Sequence, residues 1–295
     1  MDTRAALKEG IARLRGAQVP SYTLAAELLL MHALGRDRTW IYSYPEVPVD
    51  PAVLNRFFEY AARRASGEPT QYITGKQEFW GLEFEVTPAV LIPRPETEHV
   101  LEVALERLGS RGIKINMATG APSPPLIIAD VGTGSGCLAI ALAHELPHAE
   151  VLATDISAAA IEVARRNATR LGFSDRVTLL QTDLLTSIHE EQSFDVVVSN
   201  PPYIGRGEAC QLPREVREHE PDAALFGGQT GIEIYARLVQ ESAARLRCRG
   251  ILVLELGYNS ADHVRGLLQG QPAWVNVSVT NDLAGIPRVI AAERS

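Results

Sequence analysis

The sequence predicts an α/β fold: a mostly parallel sheet with helices on both faces, preceded by a small all-helical unit. Three patterns carry that expectation. Apolar residues through position 75 recur at helical spacing without strand alternation. From Leu126 onward, near-continuous apolar strands alternate with helices. The last two strands are joined by a connection too short for a helical crossover.

In the first stretch Leu7, Ile11 and Leu14, then Leu24, Leu28 and Met31, then Leu54, Phe57, Phe58 and Ala61 share helical faces. Ser21 follows Pro20 where a helix cap is wanted, and Gly35 sits where a helix should stop. Residues 1–75 are expected to form a helical bundle. Residues 76–95 are expected to form a β-hairpin connector, with Phe79, Leu82, Phe84 and Val86 flanking a turn at Gly81 ahead of a Pro-rich passage. The third region, 96–295, opens with a helix over 97–108 and a loop over 109–125 that mixes Gly, Pro and Ser. The strands LIIADV, EVLATD, RVTLLQ, FDVVVS and ILVLEL follow, with helices from Cys137, over 157–171 and around 232–246. WVNVSVT and RVIAAE, separated by a turn containing Asn281, Asp282 and Gly285, should pair antiparallel.

At 295 residues and 46% hydrophobic, the chain can bury a full core and an accessory unit. No apolar run approaches the roughly 18 residues of a membrane span; even 24–34 is broken by Glu27 and His32. MDTRAALKEG lacks the apolar block of a secretory signal, so a cytoplasmic protein is expected. Cys137, Cys210 and Cys248 form no CxxC pair and are expected as reduced thiols. His99, His144 and His219 lack ligand spacing, and no metal is expected. Through Gly75 nine Lys and Arg face eight Asp and Glu; beyond it 19 face 28. That acidic second part is a poor match for a phosphate backbone, which argues against a nucleic-acid substrate.

Two motifs carry chemistry. Asp130-Val131-Gly132-Thr133-Gly134-Ser135-Gly136 follows a strand and opens a helix, so backbone can approach a ligand that side chains would block. A dinucleotide fingerprint would place its third glycine at 137, where Cys stands. Asp155, at the next strand end, can accept from both hydroxyls of a ribose; alternatively it caps the following helix. Asp183 and Leu184, one strand further, suit an adenine edge and face. The sharper motif is Asn200-Pro201-Pro202-Tyr203, directly after FDVVVS at the carboxyl edge of the sheet. The prolines alone could merely stop a strand, but that leaves the flanking amide and aromatic unexplained. Asn200 can accept one N–H of a planar amide or aryl amine and the Pro201 carbonyl the other, while Tyr203 offers a flat face.

The pairing of DVGTGSG with NPPY resembles the class I methyltransferases that act on amide or exocyclic nitrogens. QYITGKQEFWGLEF, VLIPRPETE, NPPYI followed by EP, ALFGG and DLAGIPRVI are similar to the HemK/PrmC family of release factor glutamine methyltransferases, over nearly the whole chain. The resemblance implies a Rossmann-like, seven-stranded sheet with an antiparallel last strand. It further implies an S-adenosylmethionine cofactor against Gly132, Thr133, Gly134, Ser135 and Gly136, with Asp155 on the ribose and Asn200 near the reacting centre. A substrate glutamine, from the Gly-Gly-Gln motif of peptide chain release factors, would lie on Asn200, Pro201, Pro202 and Tyr203, bordered by Arg94, Glu96 and Thr97. The helical unit becomes the candidate docking domain of a monomeric enzyme. Leu184 stands where the family often has an aromatic, and Thr230 where it often has an acid. Two rivals share these features: a DNA adenine methyltransferase, which would need base flipping and a basic surface, and a non-catalytic, cofactor-binding regulator of translation.

Overall fold

The computed structural model describes residues 1–111 and 125–295, so most of the loop expected over 109–125 lies outside the described residues. Two compact units are present: Met1–Lys76 with Leu212–His219, and Gln77–Gln211 with Glu220–Ser295.

The first unit contains α1 (Thr3–Gly16), α2 (Tyr22–Leu34), α3 (Arg38–Ser43), α4 (Pro51–Ala65) and α5 (Thr70–Thr74). Their apolar faces close on Leu14, Leu29, Leu30 and Phe57, all fully buried. α1 approaches α4 so closely at Gly10 that a Cβ there would collide with the Phe57 ring. Asp2, Asp37 and Asp50 accept backbone N–H bonds of 2.7 to 2.8 Å at the starts of α1, α3 and α4. The expected cap at Ser21 is not made: the residue precedes α2, but with φ 50° its hydroxyl makes no cap bond. Gly35 does end α2, with φ 62° and its N–H donating to the Met31 carbonyl. Leu212–His219 belongs to this unit, where Arg64 Nη2 lies 2.5 Å from Glu215 Oε2. The sequence left it inside 96–295, because a short polar segment has no periodicity to show where it docks.

The second unit begins with the expected hairpin, β1 (Lys76–Phe79) and β2 (Leu82–Glu85). Trp80 and Gly81 turn with φ 54° and 71°, the primed geometry that suits strand twist. α6 (Glu98–Ser110) follows a single 3-10 turn at Pro95–Thr97. Then come β3 (Leu126–Val131), α7 (Cys137–Glu145), β4 (Ala149–Asp155), α8 (Ala158–Leu171), β5 (Val177–Gln181), β6 (Phe194–Ser199) and β7 (Ile204–Gly205). The chain continues through α9 (Arg214–His219), α10 (Asp222–Leu225), β8 (Phe226–Gly228), α11 (Glu233–Arg245), β9 (Leu246–Glu255), α12 (Ala261–Gln269), β10 (Trp274–Asn281) and β11 (Pro287–Arg294).

The main sheet has seven strands in the order β10-β11-β9-β6-β3-β4-β5. β3, β4, β5, β6 and β9 run parallel, and β11 is antiparallel to both neighbours, as the short last connection predicts. Alternate residues feed two cores. Ile128, Val151, Val196 and Val253 pack with α6 and α7; Ala129, Leu152, Val197 and Leu254 pack with α11 and α12. β9 starts five residues before the apolar run at 251, across an irregularity that includes Arg249 at φ 63°. α12 and the β7–β8 pair were not anticipated.

Candidate functional site

The chain leaves β3 for β4 on one side and returns through β6 on the other, so the carboxyl ends of β3 and β6 frame the switch point where open α/β sheets bind ligands. The two sequence motifs meet there by backbone. A Cβ added at Gly132 would stand 4.0 Å from the main-chain oxygen of Asn200. Beside them lies a cavity of about 300 Å³.

Gly132, Thr133, Ser135 and Asp155 form one side of its wall, and Asp183 and Leu184 continue it past β5. Asn200, Pro202, Arg94 and Thr97 form the other side. Gly134, Gly136, Pro201, Tyr203 and Glu96 are not part of the wall. Gly134 and Gly136 instead shape the loop, with φ 56° and 84°; a Cβ at Gly136 would press to 3.2 Å from Ala164 and Ile140. Tyr203 is raised chiefly by burial and Arg288 by its bond to Asp282, and the charge of Glu96 adds a smaller rise to each.

Asp155 is tied to the glycine loop. Its Oδ2 accepts the Gly134 N–H and its Oδ1 the Ser157 N–H, each at 2.9 Å. Burial raises its carboxyl above the usual range, and those backbone donors oppose the rise. Ser157, not Asp155, caps α8, accepting from the Ala160 N–H at 3.2 Å. Asp183 accepts from Arg237 Nη2 at 2.9 Å, and Leu184 takes φ 50°, a strained value for a branched side chain.

On the other side Asn200 Nδ2 donates to Thr97 Oγ1 at 3.0 Å, and Thr97 Oγ1 donates to Glu255 Oε2 at 2.6 Å. The Tyr203 hydroxyl reaches Glu255 Oε1 at 3.5 Å, and its ring covers Gly257 with no room for a Cβ. Burial raises the Tyr203 hydroxyl, keeping it protonated.

Several wall residues were not singled out from the sequence. Asp130 is fully buried: its Oδ2 accepts from Thr133 Oγ1 at 2.6 Å and the Ala139 N–H at 3.1 Å, while Oδ1 has no partner among the described residues. Burial pushes its carboxyl up to about 7. Ile156, 58% exposed beside Asp155, is an apolar side chain left open to the cavity. An acid buried at a strand end and an isoleucine just past one are the signals that could have found them. Among the described residues no group of His, Cys, Asp and Glu could hold a metal ion, and no helix is long and apolar enough to cross a membrane.

Residues 5–75 match the model of the PrmC N-terminal domain, and residues 122–214 that of the methyltransferase small domain. The release factor glutamine methyltransferase of Koribacter versatilis is 42% identical over 100% of this chain and 99% of its own. That of Moorella thermoacetica is 44% identical with the same coverage. The chain belongs to the release factor glutamine methyltransferase family. A methyltransferase from Pyrococcus furiosus, 19% identical, superposes with a TM-score of 0.51 over 80% of this chain and 98% of that one, a likeness of fold.

In ALFGG, Gly227 lies against the Pro202 carbonyl and Gly231 further on against the Tyr203 carbonyl, where any Cβ would collide. These contacts press the NPPY turn into place, and pairing of β7 with β8 brings Phe226 into the cavity wall. Thr230 donates its hydroxyl to Glu233 Oε2 at 3.1 Å. Glu233 also accepts the Thr230 and Gln229 N–H groups, and the Thr230 bond, its own backbone N–H and the Gln229 bond pull its carboxyl down to about 2.

Proposed function

We propose that this chain transfers a methyl group from S-adenosylmethionine to the side-chain amide nitrogen of the glutamine in the Gly-Gly-Gln motif of peptide chain release factors. The observation that carries the reading is Asn200, held through its nitrogen by Thr97 at the edge of a cavity whose far wall is a glycine loop with Asp155. Its oxygen is thereby the atom it can offer to an N–H.

The wall suits the cofactor. Asp155 keeps lone pairs on both oxygens for a ribose, the glycine loop admits backbone contact, and Asp130 Oδ1, without a partner among the described residues, suits an ammonium group. Asp183 would take the adenine edge, with Leu184 and Ile156 along its faces. When bound, S-adenosylmethionine supplies a methyl group on an electron-poor sulfonium. An amide nitrogen is a poor nucleophile because its lone pair is delocalised, so the protein must orient it. Asn200 Oδ1 accepts one N–H and the Pro201 carbonyl the other, and both bonds strengthen as positive charge grows on nitrogen. Pro202 and Tyr203 flank the amide, with Arg94, Glu96 and Thr97 along its border. Orientation of this kind is worth on the order of 7 to 11 kcal/mol. Water suffices to remove the acidified proton afterwards. Residues 1–75 are assigned to docking the release factor, since a cavity that grips one glutamine does not select its parent protein.

Incubation with tritiated cofactor and purified release factor, wild type beside a Gln-to-Ala variant of its Gly-Gly-Gln loop, tests the reading. Label is expected on the wild type alone. Label on the Ala variant, or on DNA in its place, rejects it.

A further inference from the structure

A primary amide has nearly the same shape either way round, so an unsupported Asn200 could present its nitrogen or its oxygen to a substrate; only the oxygen can accept an N–H. The chain Asn200 Nδ2 to Thr97 Oγ1 to Glu255 Oε2, at 3.0 and 2.6 Å, removes that choice. A threonine hydroxyl carries one hydrogen. Once it is given to a carboxylate, the oxygen can only accept, and Asn200 must turn its NH₂ toward it. Thr97 is 2% exposed and Glu255 3%, so water does not supply a competing partner.

We propose that Glu255 is a positioning residue for methyl transfer: acting through the Thr97 hydroxyl, its carboxylate sets the polarity of the Asn200 amide so that Oδ1 faces the substrate glutamine. This rests on the glutamine reading, because a different acceptor atom would ask for a different polarity. The device works only while Glu255 is ionised. A protonated Glu255 can donate to Thr97 Oγ1, whose own hydrogen then goes to Asn200 Oδ1 and reverses the amide. Burial raises the Glu255 carboxyl to about 7; the Thr97 bond lowers it, Glu96 adds to the rise, and Arg288 and Tyr203 oppose it. The other titratable groups facing it, Tyr235 and the Cys137 thiol, are themselves raised by burial and stay neutral.

The test uses the full-length enzyme with purified release factor and labelled cofactor, from about pH 6 to about pH 9, reading kcat, which reports groups in the bound complex. Wild type is compared with Glu255→Gln, Thr97→Val and Thr97→Ser, each with its cofactor Kd and thermal midpoint. Wild-type kcat is expected to rise through about pH 7 and level off. Thr97→Val should lower the plateau by about tenfold to a hundredfold while cofactor Kd moves by less than about threefold, and Thr97→Ser should recover most of the loss. Glu255→Gln should be slower at every pH and lose the rising limb. A limb that persists in Glu255→Gln, or full kcat in Thr97→Val, overturns the proposal. Should Glu255→Gln not melt cooperatively, the Thr97 pair and the wild-type profile decide: an equal loss in Thr97→Ser and Thr97→Val overturns it too. A wild type that labels no release factor overturns the substrate reading instead, before any variant is compared.

Discussion

At the end of β3 the cavity is bordered by a loop of three glycines at positive φ, with Gly132 in the wall and Asp155 accepting the Gly134 and Ser157 N–H groups, whereas at the end of β6 it is walled by side chains joined across long stretches of sequence. The Asn200–Thr97 bond spans 103 residues and the Thr97–Glu255 bond 158. The first construction depends on local residue choice, because a left-handed φ at Gly132 or Gly136 needs no distant partner. The second depends on the α6 start, β6 and β9 holding their register together. Damage to the glycine side should therefore be felt as lost cofactor affinity, and damage to the side-chain half as lost turnover.

The largest effect that sharpens this division is expected from Asn200→Ala. Loss of the oriented acceptor should lower single-turnover rate by about 100- to 1,000-fold, the scale of losing one preorganised group at a reacting centre. Calorimetry should show cofactor Kd within about threefold of wild type. An equal fall in cofactor affinity would show that the two sides are not separable. A smaller, opposite effect is expected from Asp155→Asn, which leaves one acceptor oxygen and replaces the other by a donor facing the Gly134 or Ser157 N–H. Cofactor Kd should rise about tenfold or more, the value of a charge-assisted hydrogen bond. Turnover at saturating cofactor should change by less than about fivefold; a collapse of kcat with unchanged Kd would reverse the assignment of the two sides.

The same contrast explains what was legible in the sequence. Strands β3, β4, β6 and β9 could be read because apolar runs buried on both faces leave an unbroken signal, and the β10–β11 pair because its turn is short. The glycine loop was legible because positive φ selects glycine at 132, 134 and 136. Leu184 broke that rule by taking φ 50° with a side chain, and nothing in its neighbours announced it. Thr97 was visible as part of PRPETE, but its bond to Glu255 was not, since hydrogen bonds between remote positions leave no spacing. Glu255 did leave one trace, a single carboxylate inside the apolar run ILVLEL, where burial of an unpaired charge would be costly. Leu212–His219 left less, being short and polar, whereas α12 carries a clear amphipathic pattern, Val264 and Leu268 buried, that went unread.

Asp130 offers the finest test of the backbone-built side, because it is the one buried acid there with an oxygen lacking a partner among the described residues. Burial holds its carboxyl near 7, against an ordinary value of 3.8. Between roughly pH 4 and pH 7 the folded protein therefore keeps a proton that the unfolded chain releases. Stability from this group is full below that window, falls as pH rises through it, and is flat above. Asp130→Asn keeps an acceptor for Thr133 and the Ala139 N–H but does not titrate. Its thermal midpoint should fall by a few degrees less than wild type between about pH 5 and about pH 8. Saturating cofactor should narrow the difference by placing a cation against Oδ1, so that the carboxylate is no longer costly when ionised. Parallel midpoint curves for the two proteins without cofactor would mean that Asp130 is already ionised at pH 5 and that the empty-handed oxygen is solvated, in which case the ammonium assignment loses its support.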